Sequence, residues 1–228
     1  MSRTVKKEDC LAEIKRFLKN YFIYCKSPDS DSVREVLASA YSVNDKLRKS
    51  GHQGFLDNDE FLAIKAIRNY AIHQSEIYNE ARALPIISRE PIKADLNILC
   101  LLPVSVISKI YESVGAASQT AIKNTCIYYK KYVDIYPCIF NFGVNLFLFT
   151  EESGLVVDSV EYLNFRNSIE FERENSCPHH VVGGFSLPNG GDIDEFIDNN
   201  LILINEKNKL IDEFYSEENG MFTFKGIL

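Results

Sequence analysis

The sequence of 228 residues lacks several features that would point to a common class of enzyme. It contains no tryptophan, and its six cysteines form no Cys-x-x-Cys pair, the spacing typical of structural zinc sites. The glycine-rich stretch GGFSLPNGG has no Gly-x4-Gly-Lys pattern of a phosphate-binding loop. No strand–turn–helix signal for a nucleophilic serine is present. These absences argue against zinc-finger, P-loop and serine-hydrolase chemistry.

Long hydrophobic runs are also missing. The longest, PCIFNFGVNLFLF from Pro137 to Phe149, is too short to cross a bilayer and is interrupted by Asn141 and Asn145. The first residues, MSRTVKKEDC, are polar, so we expect no signal peptide. Scattered cysteines fit free thiols in a reducing compartment. We therefore expect a soluble, cytoplasmic protein without a membrane partner.

Charge is spread unevenly along the chain, whose net charge is −7. Residues 1–133 hold 20 Lys and Arg against 15 Asp and Glu, whereas residues 134–228 hold 5 against 17. One interpretation is that the two halves are simply solvated differently. The other is that the basic front half tolerates a polyanion, while the acidic back half repels one and masks the front half or docks a regulator.

Apolar spacing in the first 85 residues predicts three helices joined by short connections. The first covers KKEDCLAEIKRFLKNYFIYCK, and the second ends at Gly51, a plausible C-cap. The third starts at Asp57 and Glu60, which have capping-box spacing, and meets no Gly or Pro before Pro85.

The rest of the chain has a mixed pattern. ADLNILCLLP is compatible with a buried strand or a helical turn, and the stretch from Val104 to Tyr136 predicts helix with a break near Gly115. After Pro137 the pattern favours strands, in FNFGVNLFLF, LVVDSVEYLNF, SIEFER and HHVVGGFSL. A helix from Asp192 to Tyr215 and a last strand in MFTFKGIL complete the prediction.

The predicted fold class is therefore α+β. An N-terminal helical bundle, residues 1–136, precedes a smaller mixed α/β unit of unknown role, residues 137–228. The hydrophobic fraction of 46% suffices for one compact core and a second small unit, and it argues against disorder.

The stretch AIRNYAIHQ places an unusual group of side chains on the third helix. Asn69 and His73 are four residues apart and share one face, while Arg68 and His73 are separated by about 140° around the axis. A single copy is therefore a poor catalytic site. Two copies from helices that cross at a dimer axis could enclose one cleft, each contributing an arginine and a histidine.

These residues resemble the Arg-polar-x-x-x-His motif of HEPN domains, in which the polar residue is often asparagine. The resemblance implies a helical bundle and a homodimeric, metal-independent endoribonuclease with Arg68, Asn69 and His73 as catalytic residues and with no metal or cofactor. It implies an RNA substrate cut to 2′,3′-cyclic phosphate and 5′-hydroxyl ends. The expected setting is toxin–antitoxin, abortive infection or antiviral defence, with an antitoxin or regulatory protein as partner. Position 75 is Ser, whereas one toxin branch has Tyr there and a tyrosine-modifying antitoxin.

Other interpretations of the same residues remain open. The helical scaffold could be a non-catalytic module that binds nucleotide or protein, or Arg68 could pair with an acid while His73 is an ordinary surface residue. Cys177, His179 and His180 are potential zinc ligands, but a partner pair is missing from the sequence. Finally, YYKKY, Tyr128 to Tyr132, could stack on and attract RNA or form the edge of the core.

Overall fold

A computed structural model describes residues 7–26, 30–73, 80–83, 98–184, 191–200, 202–203, 215–218 and 221–224 of the chain. Within these ranges it is mostly helical, with strands that make the fold class α+β, as predicted. In chain order the elements are α1 (Lys7–Lys26), α2 (Ser30–Lys49), α3 (Asp59–His73), β1 (Glu80–Ala83), β2 (Ile98–Pro103), α4 (Val104–Ser113), α5 (Ala116–Thr125), β3 (Ile127–Tyr128), β4 (Tyr132–Asp134), α6 (Tyr136–Glu152), α7 (Val160–Glu174), α8 (Ile193–Asn200), β5 (Ile202–Leu203), β6 (Tyr215–Glu218) and β7 (Met221–Phe224).

The three predicted N-terminal helices are present. Helix α1 buries Ile14, Phe17 and Tyr21 along one face, and α2 buries a similar stripe that includes Leu37 and Leu47. These apolar positions recur every three or four residues, which is why both segments fold as amphipathic helices. Helix α1 packs along α2, and α3 packs against α2, α5 and α6.

The ends of the N-terminal helices follow local chemistry. Gly51 has a φ of 87° just after α2, which confirms the predicted C-cap. Helix α3 is capped by Asn58 and not by Asp57, because the Asn58 Oδ1 accepts a 2.9 Å hydrogen bond from the Phe61 N–H. The prediction of helix as far as Pro85 is wrong, since α3 ends at His73 and residues 80–83 form strand β1.

The central sheet has the strand order β3-β4-β2-β1-β5, and its neighbouring strands are antiparallel. Strand β2 resolves the ambiguous stretch ADLNILCLLP as a strand from Ile98. Its Cys100 and Leu102 pack into the main core, whereas Leu99 and Leu101 pack against Ile197 of α8. Both faces of β2 are covered, so its sequence is continuously apolar without alternation.

The region between β2 and α6 departs from the predicted continuous helix. The break falls at Val114 and Gly115 as predicted, between α4 and α5. Beyond Thr125 the helix prediction is wrong, because β3 and β4 form a hairpin in which Tyr129 N–H donates to the Tyr132 carbonyl at 2.8 Å. The YYKKY stretch therefore covers the turn of this hairpin and one strand residue on each side of it.

Helix α6 replaces the strand that was predicted from the alternation in FNFGVNLFLF. Pro137 lies in the first turn, where proline is tolerated, and the helix runs to Glu152. Asn141 and Asn145 are spaced by four residues and make the polar contacts of one face, while Phe142, Val144 and Leu146 are buried elsewhere around the helix. A helix that is buried on almost every side has no amphipathic pattern. Asn141 and Asn145 therefore produced an apparent alternation of polar and apolar residues, which is typical of a strand.

Helix α7 likewise takes the place of the strands predicted in LVVDSVEYLNF, from Val160 onward, and in SIEFER, while residues 155–159 are irregular. The Ser159 hydroxyl caps it by accepting a 3.1 Å hydrogen bond from the Tyr162 N–H. Tyr162, Phe165 and Ile169 are buried at helical spacing. The cap and this spacing override the preference of Val, Tyr and Phe for strands, which is a weak local tendency.

The C-terminal region is only partly described. The predicted strand HHVVGGFSL is absent over residues 179–184, which are irregular, and residues 185–187 lie outside the described ranges. Helix α8 is shorter than predicted because it ends at Asn200 and is followed by β5. Strand β7 confirms the prediction of a strand in MFTFKGIL and pairs with β6.

One hydrophobic core includes residues from both sides of the boundary predicted at residue 136. Phe142 of α6 meets Phe17 of α1 edge-on at 5.2 Å between ring centroids and lies 6.1 Å from Phe61 of α3. The division into residues 1–136 and 137–228 stays a prediction, and the described core crosses it. None of the described helices has the length and apolar content that a membrane crossing requires.

Candidate functional site

Arg68 lies on the last third of α3, on a face that meets α2. Its guanidinium carbon is 4.7 Å from the centroid of the Tyr41 ring, and its Nη1 donates a 3.1 Å hydrogen bond to Oδ1 of Asn69. The side chain is half-buried, and its Nε is buried with no hydrogen-bond partner within the described part of the chain. The aromatic ring and the neighbouring amide therefore hold the cation in place.

No acidic side chain within the described ranges forms an ion pair with Arg68. This observation argues against the interpretation in which Arg68 only completes a salt bridge. A guanidinium that is fixed by a π face and an amide still has N–H donors that are available to an anion.

The three predicted site residues lie on one helix. The structure brings Arg68 and Asn69 into direct contact. His73 is the last residue of α3, one turn after Asn69, and its side chain lies outside the described residues. The helix thus spans the whole motif, as the prediction required, and the assignment of the three residues as catalytic stays a prediction.

A second cation lies near the end of α3. Arg34 of α2 donates a 3.2 Å hydrogen bond from Nη2 to the Ala71 carbonyl. Carbonyls in the last turn of a helix lack intrahelical partners and carry a partial negative charge, so a cation there stabilises the helix end that bears the motif. Sequence analysis missed both Arg34 and Tyr41, because nothing in the spacing of α2 indicates which of its residues face Arg68.

The basic hairpin turn contacts acids on α8 and one acid just before it. Asp194 is buried, and its two carboxylate oxygens accept the backbone N–H groups of Lys130 and Lys131 at 3.0 and 2.7 Å. The Lys130 and Lys131 ammonium groups pair with Asp192 and Asp198 respectively. The predicted RNA contact by YYKKY is untested, and its two lysines are engaged within the chain.

The potential zinc ligands do not converge. His179 contacts Oε2 of Glu172 at 2.8 Å, whereas His180 contacts Oδ1 of Asn145 at 2.8 Å, and Cys177 is exposed. Among the described residues, no group of three or more His, Cys, Asp or Glu is placed to hold a metal ion. Instead, these histidines attach residues 177–184, which we call the strap, to the two neighbouring helices: His179 contacts α7 and His180 contacts α6.

Asn141 fixes the strap to α6. Its side-chain amide forms two hydrogen bonds with Val181: Oδ1 accepts from the N–H at 2.8 Å, and Nδ2 donates to the carbonyl at 2.9 Å. Asn141 is buried, so both bonds form in a low-dielectric environment.

A buried acid lies beneath the strap. Asp134, at the end of β4, is only 2% exposed, and its Oδ1 accepts backbone hydrogen bonds from Cys100 at 2.8 Å and Tyr136 at 3.0 Å. Burial raises the pKa of Asp134 to about 7, although these two bonds favour the ionised form. Sequence analysis did not single out Asp134, because one acid at a strand end carries no signal of its burial.

Tyr136, beside this acid, belongs to a buried group that includes Tyr21 and Cys25 of α1. The Tyr21 and Tyr136 hydroxyls share a 2.8 Å hydrogen bond. Burial raises the pKa of both tyrosines, and it raises the pKa of the Cys25 thiol to about 11. These groups are therefore neutral near pH 7 and unsuited to act as nucleophiles there.

Comparison of the chain with protein-family models, with curated proteins and with solved structures gave no match.

Proposed function

We propose that this protein is a metal-independent endoribonuclease of the HEPN kind, acting as a homodimer. The proposal rests on the Arg-Asn-x-x-x-His motif within a single helix of a helical bundle. The observation that carries it is the state of Arg68, which Tyr41 and Asn69 hold in place while no described acid neutralises it. A site that binds a phosphodiester needs such a fixed, available cation.

RNA supplies its own nucleophile, the 2′-hydroxyl, so the protein has three tasks. His73 transfers protons, since an imidazole titrates near pH ~6.5 and can act as base and acid around neutrality. Arg68 stabilises the extra negative charge on the phosphate oxygens through its terminal nitrogens. Asn69 positions the Arg68 fork, to which it is hydrogen bonded at 3.1 Å.

In this reaction the 2′-oxygen attacks phosphorus and the bond to the 5′-oxygen breaks. The products are a 2′,3′-cyclic phosphate and a 5′-hydroxyl end. Within one α3 helix, Arg68 and His73 diverge by about 140°, so we expect the site to be completed by α3 of a second copy. The expected setting is a toxin or an anti-phage effector in toxin–antitoxin or abortive-infection defence, acting on cellular RNA and held in check by an antitoxin or regulatory protein.

The test is cleavage of a labelled single-stranded RNA in the presence of EDTA, with analysis of the new ends. Arg68→Ala and His73→Ala should each reduce the cleavage rate by at least ~100-fold, the range found when a preorganised donor or a proton-transfer group is removed. The chain offers a matched control, because Arg166 precedes Asn167 on α7, is exposed and lacks a histidine four residues after that asparagine. Arg166→Ala should cut at the wild-type rate. Wild-type rates in both motif variants would refute the assignment.

The alternative is a non-catalytic module that binds nucleotide or a protein partner through the same cation. It predicts that Arg68→Ala weakens the binding of that nucleotide or protein, and that no condition yields cleaved RNA ends. Sedimentation of the purified protein separates the proposals further, since the nuclease requires a dimer and the binding module does not.

A further inference from the structure

A cavity of about 250 Å³ lies where the sheet, the start of α6 and the strap meet. Its apolar wall includes Leu99, Ile127 and Val181, and its polar lining consists of Asp134 and the tyrosines at positions 129 and 136. The strap approaches its wall closely, because a Cβ on Gly184 would lie 2.5 Å from Cγ2 of Ile127. The volume is below the range of ~300–1,000 Å³ for drug-sized ligands, so an occupant would have about the size of one ring.

Asp134 is the chemical feature of this cavity. Both of its hydrogen bonds, from the Cys100 and Tyr136 N–H groups, end on Oδ1. Its Oδ2 accepts no hydrogen bond from any residue that the structure describes, and no described Lys, Arg or His pairs with it. A carboxyl oxygen with unused acceptor capacity thus belongs to a side chain that is only 2% exposed and lines a cavity.

The groups around Asp134 cannot compensate its charge. Among the described residues, the titratable side chains that interact electrostatically with Asp134 are Tyr24 of α1, Cys100 of β2 and Tyr136 of α6, and burial raises the pKa of each, so all three are neutral near pH 7. A buried carboxylate without a cation is costly, which is why its own pKa rises to about 7. A ligand that brought a positive charge would replace the proton.

We infer that this cavity binds a small primary amine with an apolar body of about one ring, whose ammonium group donates to Oδ2 of Asp134. A single available oxygen suits a compact ammonium better than a planar fork that needs two acceptors. The aliphatic and aromatic walls bury the apolar body. This inference is independent of the proposed nuclease activity, because it uses none of the residues of the Arg-Asn-x-x-x-His motif.

The probe is phenethylamine, and 2-phenylethanol is its neutral counterpart of nearly the same shape. With the full-length protein at pH 8, isothermal titration calorimetry should show the amine binding at least tenfold more tightly than the alcohol. Between pH 6 and pH 8 the affinity for the amine should rise about tenfold, as the carboxyl with a pKa of about 7 ionises. At pH 6, buffers of different ionisation enthalpy should reveal release of a proton on binding.

Asp134→Asn tests the charge while keeping an acceptor oxygen for the Cys100 and Tyr136 N–H groups. It should abolish the preference for amine over alcohol. Glu13→Gln is the matched control, because Glu13 is also a buried acid but pairs with Arg16 on α1. This control should leave the preference unchanged.

The inference is overturned by equal binding of amine and alcohol to the wild-type protein, by an unchanged preference in Asp134→Asn, or by no binding of the amine at about 10 mM. If Asp134→Asn fails to fold, the wild-type protein still decides the question. Affinity for the amine that does not change between pH 6 and pH 8 contradicts a role for this carboxyl.

Discussion

The Arg68 guanidinium lies over the ring of Tyr41, with 4.7 Å between its central carbon and the ring centroid. This contact joins α3, which bears the proposed catalytic motif, to α2. Tyr41 also stacks on Phe61 at 6.3 Å between centroids, so the ring that supports the cation is itself fixed. The orientation of Arg68 therefore depends on a side chain that the motif does not include.

Removing this support should impair catalysis without removing the cation. We predict that Tyr41→Leu lowers the rate of RNA cleavage about tenfold, since a cation–π contact of this kind contributes roughly 0.5–2 kcal/mol to orienting the guanidinium. Tyr41→Phe retains the π face and should cleave at nearly the wild-type rate. Single-turnover rates on the labelled RNA make the comparison, and equal losses in the two variants would show that the hydroxyl matters and the ring does not.

The buried carboxyl should make stability depend on pH. The folded-state pKa of Asp134, about 7, lies above its ordinary value of 3.8, so the folded chain holds this proton more tightly than the unfolded chain does. The contribution of Asp134 to the free energy of unfolding is therefore fully present below pH ~3.8. It falls as the pH rises toward 7 and no longer changes above pH 7.

The measurement is the difference in unfolding free energy between the wild type and Asp134→Asn, by urea titration. Wild-type stability should decrease relative to the variant by a few kcal/mol between pH 4 and pH 8, and groups common to both proteins cancel. A difference that does not change over this range would mean that Asp134 ionises normally in the folded state.

Asn141 should control the attachment of the strap. Asn141→Ala removes both hydrogen bonds to Val181, at a cost of about 2 kcal/mol. We expect the amide hydrogen of Val181 to exchange with solvent at least tenfold faster. Asn164→Ala on the exposed face of α7 is the control and should leave exchange at Val181 unchanged. Unaltered exchange in Asn141→Ala would show that other contacts hold the strap.

Asp192, just before α8, and Asp198 on α8 should weaken RNA binding by the hairpin turn. Asp192→Asn combined with Asp198→Asn frees the ammonium groups of Lys130 and Lys131 from their partners. We predict roughly threefold tighter RNA binding at low salt, with a steeper dependence on salt concentration. Asp45→Asn, which releases Lys49 on α2, is the control for the loss of one carboxylate. Fluorescence anisotropy measures both, and an equal gain per carboxylate removed would indicate a general charge effect.

The predictable part of the fold is the part with one exposed face. Helices α1 and α2 alternate buried and exposed positions with helical period, and their sequences specify them. The prediction for α6 was wrong because this helix is buried on almost every side. Only the contacts of Asn141 and Asn145, four residues apart, show its helical period. Strand β2 stayed ambiguous for the same reason: both of its faces are covered, so its sequence does not alternate.

Within the candidate site, only the residues that lie together on α3 could be predicted from the sequence. Spacing along α3 relates Arg68, Asn69 and His73 to each other, because helix geometry fixes those relations. Tyr41 and Arg34 reach the site through the packing of α2 on α3, which no local pattern encodes. The cavity beside Asp134 needs four segments distant in sequence and was therefore invisible to local analysis.

The aromatic contacts of Phe142 have a practical consequence. Its ring lies 5.2 Å from both Phe17 and Phe55, so truncation after residue 136 would leave a hole among side chains that belong to the first 133 residues. Deleting the acidic half would therefore also disturb the packing of the N-terminal helices, so the deletion would not isolate the role of the acidic half. Its influence on RNA has to be dissected by neutralising individual carboxylates on an intact chain.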